Sequence, residues 1–316
     1  MTQYLLRRLG ASVIVLIGIS FFIFGLLHFI FPSPAIVVLG SRANRVLIAA
    51  WNKQHGFDNP WIVQYWNYMS GLIFHGNLGF AYKYDQSVAS LFAERWARSA
   101  FLSGAALLLA LLVAFPLGIF QAVKRNTIGD YTLTSAAFVT YAMPVFFLGL
   151  LLIQVFAFSI PIFGFEASQS NGILSIMTDW HDMTLPILTL ALISIAAYSR
   201  YMRSQAIDTL AQDYIKAARA KGLPERLVLW RHLVRNASLP MVTLIGLSIP
   251  LLLSGNLITE ELFNYNGLGL LFFNSLTQED YDTLLAYTLV GAVLTVVGNY
   301  IADVALTVAD PRIRLA

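Results

Sequence analysis

Long apolar runs, separated by polar segments, extend along the whole chain. Six of these runs are long enough for an α-helix to cross a bilayer, which takes about 20 residues for about 30 Å of hydrocarbon. Prolines in or beside the runs do not oppose this, because neighbouring helices can satisfy the freed carbonyl groups. The pattern therefore predicts an all-α membrane protein with six transmembrane helices, at Leu9–Phe31, Ser99–Val123, Tyr131–Phe158, Leu185–Tyr201, Leu239–Ile258 and Thr283–Val308.

The first apolar run follows a basic pair, Arg7 and Arg8, and contains no formal charge. It is longer than the core of a signal peptide, which has about 7–15 residues. No cleavage site of small residues follows it, only a Pro-Ser-Pro sequence at 32–34. We therefore expect 1–31 to form a cytoplasmic end and an uncleaved first transmembrane helix.

The composition agrees with a chain that faces lipid. Apolar residues make up 58% of it, charged residues only 12%, and the mean hydropathy is +0.68. A soluble domain carries about 25% charged residues, so most of this surface must face lipid or other helices. Cysteine is absent, which excludes disulfides, thiolate catalysis and cysteine metal sites.

Lysine and arginine are distributed unequally between the segments that connect the runs. The segments 159–184 and 259–282 contain neither residue. Because cytoplasmic loops carry an excess of these residues, we expect both termini, and the tail 309–316, to be cytoplasmic. The lysines and arginines assigned to the cytoplasmic side, opposite the two segments without them, are Arg7 and Arg8, Lys124 and Arg125, eight residues from Arg200 to Arg235, and Arg312 and Arg314.

A long segment, 32–98, separates the first two runs and is rich in tryptophan and tyrosine. A disordered linker would contain fewer aromatic residues, so we expect a small folded cap outside the cytoplasm. Within it, Gln86–Arg98 has the pattern of an amphipathic helix that continues into the second span. A belt of aromatic residues lying on the membrane surface is the alternative. The remaining 99–308 would form a five-helix core.

The cytoplasmic segment 208–236 has the clearest local signals. Asp208 to Lys221 is rich in helix-forming residues, with Gly222 placed just after a helix end and Pro224 close behind. A second short helix is predicted from Glu225 to Arg235, ending at Asn236. The sequence thus predicts a bent pair of helices between the fourth and fifth spans.

The first helix of this pair combines small and basic residues. Ala217, Ala218 and Ala220 permit close approach by another surface, and lysine and arginine surround them. One interpretation is a helix on anionic headgroups, where each basic residue contributes about 1 kcal/mol. The other is a helix that docks into a groove of a cytoplasmic partner. The small residues favour docking, since a headgroup-bound helix would present large apolar side chains to lipid.

These residues resemble a known signature. Lys216-Ala217-Ala218-x-x-x-Gly222 is similar to the EAA-x-x-x-G loop of ABC importer permeases, although lysine replaces the acidic first residue and Leu239-Pro240 follows later than in the general pattern. The run from Asp213 to Leu223 resembles the dipeptide/oligopeptide branch, and the long loop after the first helix resembles its first-permease type. Further similar segments are Tyr4–Arg8, Gly76–Gly79, Arg235–Pro240, Glu260–Gly269 and Asp310–Arg314.

The resemblance implies the transmembrane domain of a type I ABC importer. Its expected partners are a homologous second permease, two ABC ATPase subunits, an extracytoplasmic substrate-binding protein and membrane lipid, but no nucleic acid. ATP and Mg would bind to the ATPase subunits and no cofactor to this chain, which contains no Gly-Lys dipeptide and hence no P-loop. The residues expected to couple to the ATPase are Asp213, Lys216, Ala217, Ala218, Arg219, Lys221, Gly222 and Leu223.

The resemblance also implies a substrate class. We expect import of di- or oligopeptides, with nickel chelates, glutathione or oligosaccharides as alternatives within the same family. The sequence contains no nucleophile elbow, catalytic triad order or metal-ligand cluster, so we expect a transport subunit and not an enzyme. A self-sufficient channel or secondary transporter, and an intramembrane enzyme that uses carboxylates, remain open as hypotheses of other classes.

Three carboxylates lie where they could serve transport. Asp303 falls within the last run, where a charge at the bilayer centre costs about 2.5–3.5 kcal/mol. It would pair with a basic residue or help to gate a pathway. Glu260 and Glu261 lie at the external end of the fifth run. They would contact a docked binding protein or a substrate amine, or form a solvated loop end.

Overall fold

Helices form nearly all of the regular structure in the computed structural model, which describes residues 2–31, 33–40, 43–170 and 172–309. The strands in these ranges are β1 (Phe80–Ala81) and β2 (Gln86–Ser87), which pair antiparallel with Phe80 opposite Ser87. The helices before the second span are α1 (Thr2–Ile30), α2 (Ala35–Leu39), α3 (Arg45–His55) and α4 (Trp61–His75).

Four helices in the described ranges are long and apolar enough to cross a membrane. Two of them include prolines, Pro116 and Pro186, without a break in the helix. The helix predicted to lead into the second span begins at Val88 and not at Gln86, because Gln86 and Ser87 form β2, and from Val88 it continues through the apolar run. The four are α1, α5 (Val88–Val123), α9 (Trp180–Leu210) and α16 (Tyr281–Ala309).

The third predicted span is a bent pair of helices and not one straight helix. Its parts are α6 (Ile128–Ala142) and α7 (Val145–Ile153), the latter continued by a π-helical turn over Gln154–Ser159. The axes differ by 105° across Met143 and Pro144. Proline has no N–H for a helical hydrogen bond, and it forces the preceding Met143 into an extended conformation (ψ 134°).

The fifth predicted span, Leu239–Ile258, is shorter in the structure than expected. Helix α13 (Leu239–Ser254) has 16 residues, about 24 Å at 1.5 Å per residue, and Gly255 interrupts the helix with a φ of 83° before α14 (Leu257–Leu262). Four helices, or five with the bent pair, meet the length for spanning in the described ranges. The count of six therefore stays a prediction.

The chain divides into two compact units. The first comprises Met1–Ser99, Leu253–Leu257 and Asn266–Val296, and includes α15 (Leu268–Thr277). Phe24 and Leu27 of α1 pack on Leu284 and Leu285 of α16 in its core. Aromatic side chains of α4 pack against the same cluster, namely Trp61, Tyr65 and Tyr68. The predicted folding of the segment after the first helix is therefore confirmed for its described residues, and its side of the membrane stays a prediction.

The hairpin of this unit is bound to the start of α16. The Phe80 N–H donates to the Asp282 carboxylate at 2.9 Å. Gly79 has a φ of 98°, and a Cβ there would lie only 2.7 Å from the Asp282 Oδ2. Glycine is thus required at position 79 both by the backbone conformation and by the space that the carboxylate fills.

The second unit comprises Ala100–Leu252, Ile258–Tyr265 and Val297–Ala316. Its remaining helices are α8 (Ile173–Thr178), α10 (Asp213–Ala220), α11 (Glu225–Leu227) and α12 (Arg235–Ala237), with a π-helical segment, Val228–Val234, between the last two. One core cluster joins Leu102, Met183 and Leu185 to Phe263 and Tyr265. A second cluster consists of Ala122, Met202, Ala206, Leu233, Ala237 and Met241.

We expect Gly118→Ala to destabilise the protein by about 1–3 kcal/mol, because the new Cβ would lie 2.6 Å from the Ser199 carbonyl oxygen and 2.7 Å from the Met202 Cβ. Gly104→Ala on the same helix is the matched control, since its Cβ would meet nothing within 4 Å. The midpoint of thermal unfolding of the purified protein measures both. Equal midpoints for the two variants would contradict the close helix contact at Gly118.

Candidate functional site

The candidate site is the helix pair that follows α9. The predicted start of its first helix at Asp208 is wrong, because α9 continues to Leu210 and the chain leaves the helix at Gln212, which is extended (ψ 147°). No glycine or proline lies between Pro186 and Leu210, so the transmembrane helix extends beyond its apolar part. The first helix of the pair is therefore α10, which begins at Asp213 and ends at Ala220.

The turn after α10 has the geometry that the sequence predicts. Gly222 has a φ of 75°, so its backbone is in the left-handed region. The Gly222 N–H donates to the Arg219 carbonyl at 2.9 Å, and the Leu223 N–H donates to the Ala218 carbonyl at 3.4 Å. These two bonds form a Schellman motif, which satisfies the last carbonyls of the helix. A Cβ at Gly222 would meet nothing within 4 Å, so the backbone conformation alone requires glycine there.

The two helices of the pair pack on each other through a small apolar cluster. Ile215 and Ala218 of α10 are buried against Val228, with Leu210 and Leu223 packed at the edge. Ala218 thus packs within its own helix pair and is not available to a partner, whereas Ala217 and Ala220 are exposed. The other predicted coupling residues that are exposed are Asp213, Lys216, Arg219, Lys221 and Gly222.

The second helix extends slightly further than predicted. It consists of α11, the π-helical segment and α12, and it ends at Ala237 rather than at Asn236. In a π-helical segment each backbone hydrogen bond spans one residue more than in an α-helix, and such segments are frequent at functional sites. The segment exposes Trp230, which has 66% of its surface accessible.

Four charged side chains of this helix pair form two ion pairs. The Lys216 ammonium donates to the Asp213 carboxylate at 2.9 Å. Arg219 donates to both oxygens of Glu225, at 3.1 and 2.6 Å, and so joins the first helix to the second. Hydrogen bonding to Lys216 lowers the pKa of Asp213, and hydrogen bonding to Arg219 lowers that of Glu225. Lys221 forms no ion pair with any described residue.

The three other predicted site residues lie apart from this pair of helices in the chain. Glu260 in α14 is fully buried and therefore is not a solvated loop end, whereas Glu261 is exposed. Asp303 belongs to α16, and its side chain lies outside the described part of the structure, as does the predicted tail beyond Ala309. No three His, Asp or Glu side chains in the described ranges could together hold a metal ion.

The structure reveals an ion pair that the sequence analysis missed. Asp130 of α6 is fully buried, and both its oxygens accept from the Arg203 guanidinium of α9, at 2.7 and 2.8 Å. The Asn126 N–H and the Thr134 hydroxyl also donate to this carboxylate, at 3.0 and 3.2 Å. Thr134 in turn accepts from Gln121 of α5 at 3.2 Å. This network connects three helices of the unit seven residues before α9 ends.

Only part of this network has a local signal in the sequence. Thr127 is followed three residues later by Asp130, as at many helix starts, and the Asp130 N–H does donate to the Thr127 hydroxyl, although the bond is long at 3.4 Å. Arg203 lies 73 positions further along the chain, and no pattern in the sequence relates the two residues. In the sequence analysis Arg203 served only as one of the basic residues that predict the orientation of the chain in the membrane.

We expect Asp130→Asn to destabilise the protein by about 3–5 kcal/mol, because it leaves the Arg203 guanidinium, which is only 25% exposed, without its anion. Asp213→Asn removes the same charge from a fully exposed pair, and no measurable change in stability is expected there. Thermal unfolding of the two purified variants measures the difference. A loss that is equally small in both would contradict the structural role of the buried pair.

The comparison with protein families covers nearly the whole chain. A family model described as "Binding-protein-dependent transport system inner membrane component" matches residues 114–315. A second model, for the N-terminal part of such membrane components, matches residues 1–100. These matches agree with the apolar helices, which make the chain a multi-pass membrane protein.

Curated proteins similar to the chain have related names. The oligopeptide transport system permease protein AppB of Bacillus subtilis (strain 168) is 33% identical over 318 residues, covering 99% of this chain and all of that protein. The dipeptide transport system permease protein DppB of Escherichia coli (strain K12) is 33% identical over 341 residues, covering 99% of each. The glutathione transport system permease protein GsiC of Escherichia coli O6:H1 is 32% identical over 314 residues, also covering 99% of each. The chain therefore belongs to the family of inner-membrane components of binding-protein-dependent transport systems.

Proposed function

We propose that the chain is a transmembrane permease subunit of an ATP-driven ABC importer that moves di- or oligopeptides into the cytoplasm. The observation that carries the proposal is the exposed helix α10 and its Gly222 turn, which form a compact structure at the end of a spanning helix. Both chain termini and this pair of helices would lie on the cytoplasmic side, as the distribution of basic residues favours.

The exposed face of α10 is suited to a protein groove. Its accessible side chains are small or charged, as at Lys216, Ala217 and Ala220, with Tyr214 (43% exposed) as the exception, and the space at Gly222 is open. The second helix has a different surface, since it exposes Leu227 and Trp230. Large apolar side chains of this kind favour a membrane surface. In our proposal the second helix therefore faces the membrane boundary and α10 faces the ATPase subunit.

The contacts within the helix pair would let it transmit movement from the ATPase subunit to the transmembrane helices. The apolar cluster around Ile215 and the Arg219–Glu225 ion pair join the two short helices to each other. Leu210, the last residue of α9, packs on the same cluster. A force on α10 would therefore reach α9, and the Asp130–Arg203 pair would carry it to α6. Binding of ATP to the partner would shift the population between an inward-open and an outward-open state.

The other components follow from the same proposal. A homologous second permease would form the translocation path together with this chain, and two ATPase subunits would bind ATP and Mg on the cytoplasmic side. An extracytoplasmic binding protein would deliver the substrate, with Glu261 available at the surface for contact. Glu260 is buried, so this carboxylate would act inside the permease and not on its surface. Asp303 belongs to α16 and stays a candidate for gating the pathway.

Glutathione is the second candidate substrate, because a glutathione transport permease is similar to this chain over nearly its full length. Uptake of labelled dialanine and of labelled glutathione, each measured with the chain and its partner proteins in one cell strain, distinguishes the two. Faster uptake of the dipeptide supports our assignment. Uptake of glutathione alone contradicts the peptide assignment and leaves the importer assignment intact.

We expect Gly222→Asp to abolish peptide uptake or to uncouple ATP hydrolysis from it, because a side chain strains the left-handed turn and enters the docking space. Gly76→Asp is the matched control, since Gly76 also ends a helix in the left-handed conformation with open space around it. Uptake, ATP hydrolysis and the amount of protein in the membrane are measured together. Normal uptake by the Gly222→Asp protein, or equal loss in both variants, refutes the assignment of this turn to coupling.

A second variant separates docking from backbone strain. Ala217→Leu leaves the stability of α10 nearly unchanged, because the site is exposed and leucine is a good helix former. It places a larger side chain on the proposed docking face, so we expect substrate-stimulated ATP hydrolysis to fall about tenfold with an unchanged melting temperature. Stimulation equal to that of the wild type would mean that this face does not contact the ATPase.

A further inference from the structure

The second unit contains an open cavity between α6 and α9. Its volume is about 410 Å³, large enough for a group of many atoms, since a water molecule occupies about 30 Å³ in the liquid. Phe138 and Tyr141 of α6 form one wall, and both side chains are half exposed, at 52% and 54%. Arg200 and Arg203 of α9 line the opposite wall.

The two arginines differ in their partners. Arg203 is neutralised by Asp130, whose two oxygens it binds at 2.7 and 2.8 Å. The Arg200 guanidinium lies over two rings instead, with its central carbon 4.0 Å from the centre of Phe138 and 5.2 Å from that of Tyr141. No described carboxylate is within ion-pair distance of Arg200, and no acidic side chain lines the cavity. The cavity therefore has a net positive charge.

This arrangement leaves hydrogen-bond donors unused. Stacking on aromatic faces stabilises a guanidinium by about 0.5–2 kcal/mol, but its five N–H groups lie in the plane of the group and still need acceptors. No described residue accepts from Arg200. Tyr201 and Ser204 also line the cavity, and their hydroxyls form no hydrogen bond with any described residue. A guanidinium with unused donors and two hydroxyl-bearing residues in the same cavity suit the binding of an oxyanion.

The position of Arg200 along α9 indicates the source of the oxyanion. The helix has 31 residues, about 46 Å, and so exceeds the roughly 30 Å of hydrocarbon. Its apolar part ends at Tyr201, and polar residues follow, so Arg200 lies at the boundary of the membrane. The phosphate groups of lipids occupy that depth, and exposed aromatic side chains such as Tyr141 are typical of it.

We propose that this cavity binds the phosphate group of an anionic phospholipid, which Arg200 holds by charge-assisted hydrogen bonds with Tyr201 and Ser204 as further donors. Basic cavities between transmembrane helices suit such headgroups. The acyl chains of the lipid would lie along the exposed apolar surface of α6, beyond Phe138. A lipid bound there would lie beside the Asp130–Arg203 pair.

The test measures lipid binding to the full-length chain, purified with the subunits that accompany it. Short-chain phosphatidylglycerol is titrated and the bound lipid is counted by native mass spectrometry, with phosphatidylcholine of equal chain length for comparison. Arg200→Gln is expected to weaken phosphatidylglycerol binding at least about tenfold, which corresponds to one charge-assisted hydrogen bond. Arg125→Gln is the matched control, because Arg125 is exposed, lies outside the cavity and should leave binding unchanged within about twofold.

Equal losses in the two variants would mean general attraction of lipid to a basic surface and would overturn the proposal, as would no loss in either. The melting temperature in phosphatidylcholine alone shows whether Arg200→Gln is folded. If it is not, Arg200→Lys replaces it, since lysine keeps the charge but loses the planar guanidinium. Binding of phosphatidylglycerol several-fold weaker than in the wild type is then expected, and unchanged binding overturns the proposal.

Competition identifies the source of the oxyanion. Inorganic phosphate, dialanine and dialanine amide are each added to the protein with bound phosphatidylglycerol. We expect none of them to displace the lipid at concentrations at which unlabelled phosphatidylglycerol does. Displacement by dialanine but not by its amide would assign the site to the carboxylate of a solute, and displacement by inorganic phosphate would assign it to a free anion. Either result overturns the lipid assignment.

Discussion

Hydrocarbon offers no hydrogen-bond partner to a peptide group, and this constraint shapes every spanning element of the protein. An unsatisfied N–H or C=O costs several kcal/mol there, so a spanning segment must form its hydrogen bonds within itself. The four long helices meet this demand directly. Where the chain departs from it, at Met143-Pro144 and at Gly255, residues with special backbone properties mark the place. The chain therefore changes direction at residues where ending the helix costs little free energy.

The same constraint decides where charges lie. Asp130 is buried, and Arg203, Asn126 and Thr134 together supply its hydrogen bonds. A buried carboxylate with this many donors holds α6 against α9, because separating the two helices leaves a charge without a partner. Arg200 shows the opposite case within the same unit, since its charge has aromatic faces but no anion among the described residues. The difference separates a structural ion pair from a candidate binding site.

The helix pair after α9 combines a rigid interior with an exposed surface. Ile215, Ala218 and Val228 fix the angle between its helices, and the Gly222 turn satisfies the end of α10 without any side chain. Because so few residues are used for internal packing, most of α10 remains accessible. A compact element on the end of a long helix is well suited to transmit the movement of a bound partner to that helix, and this is the role that we propose for it.

Features that depend on neighbouring residues could be predicted from the amino-acid sequence. The length of an apolar run decides whether a helix can span a membrane, and a glycine before a proline ends a helix, so the main spans and the turn at Gly222 were predictable. The boundary between α9 and α10 was placed wrongly, because helix-forming residues continue on both sides of Ala211 and Gln212.

Features that depend on residues far apart in the chain could be found only in the folded protein. Asp130 and Arg203 are 73 positions apart, Gly79 and Asp282 approach across an even longer stretch of chain, and Glu260 is buried although its local sequence is polar. The Met143-Pro144 sequence marks the break between α6 and α7, but the angle of 105° between them was seen only in the structure. The reason is physical: propensity and hydropathy act over a few residues, whereas the partner of a buried charge is fixed by the packing of the whole unit.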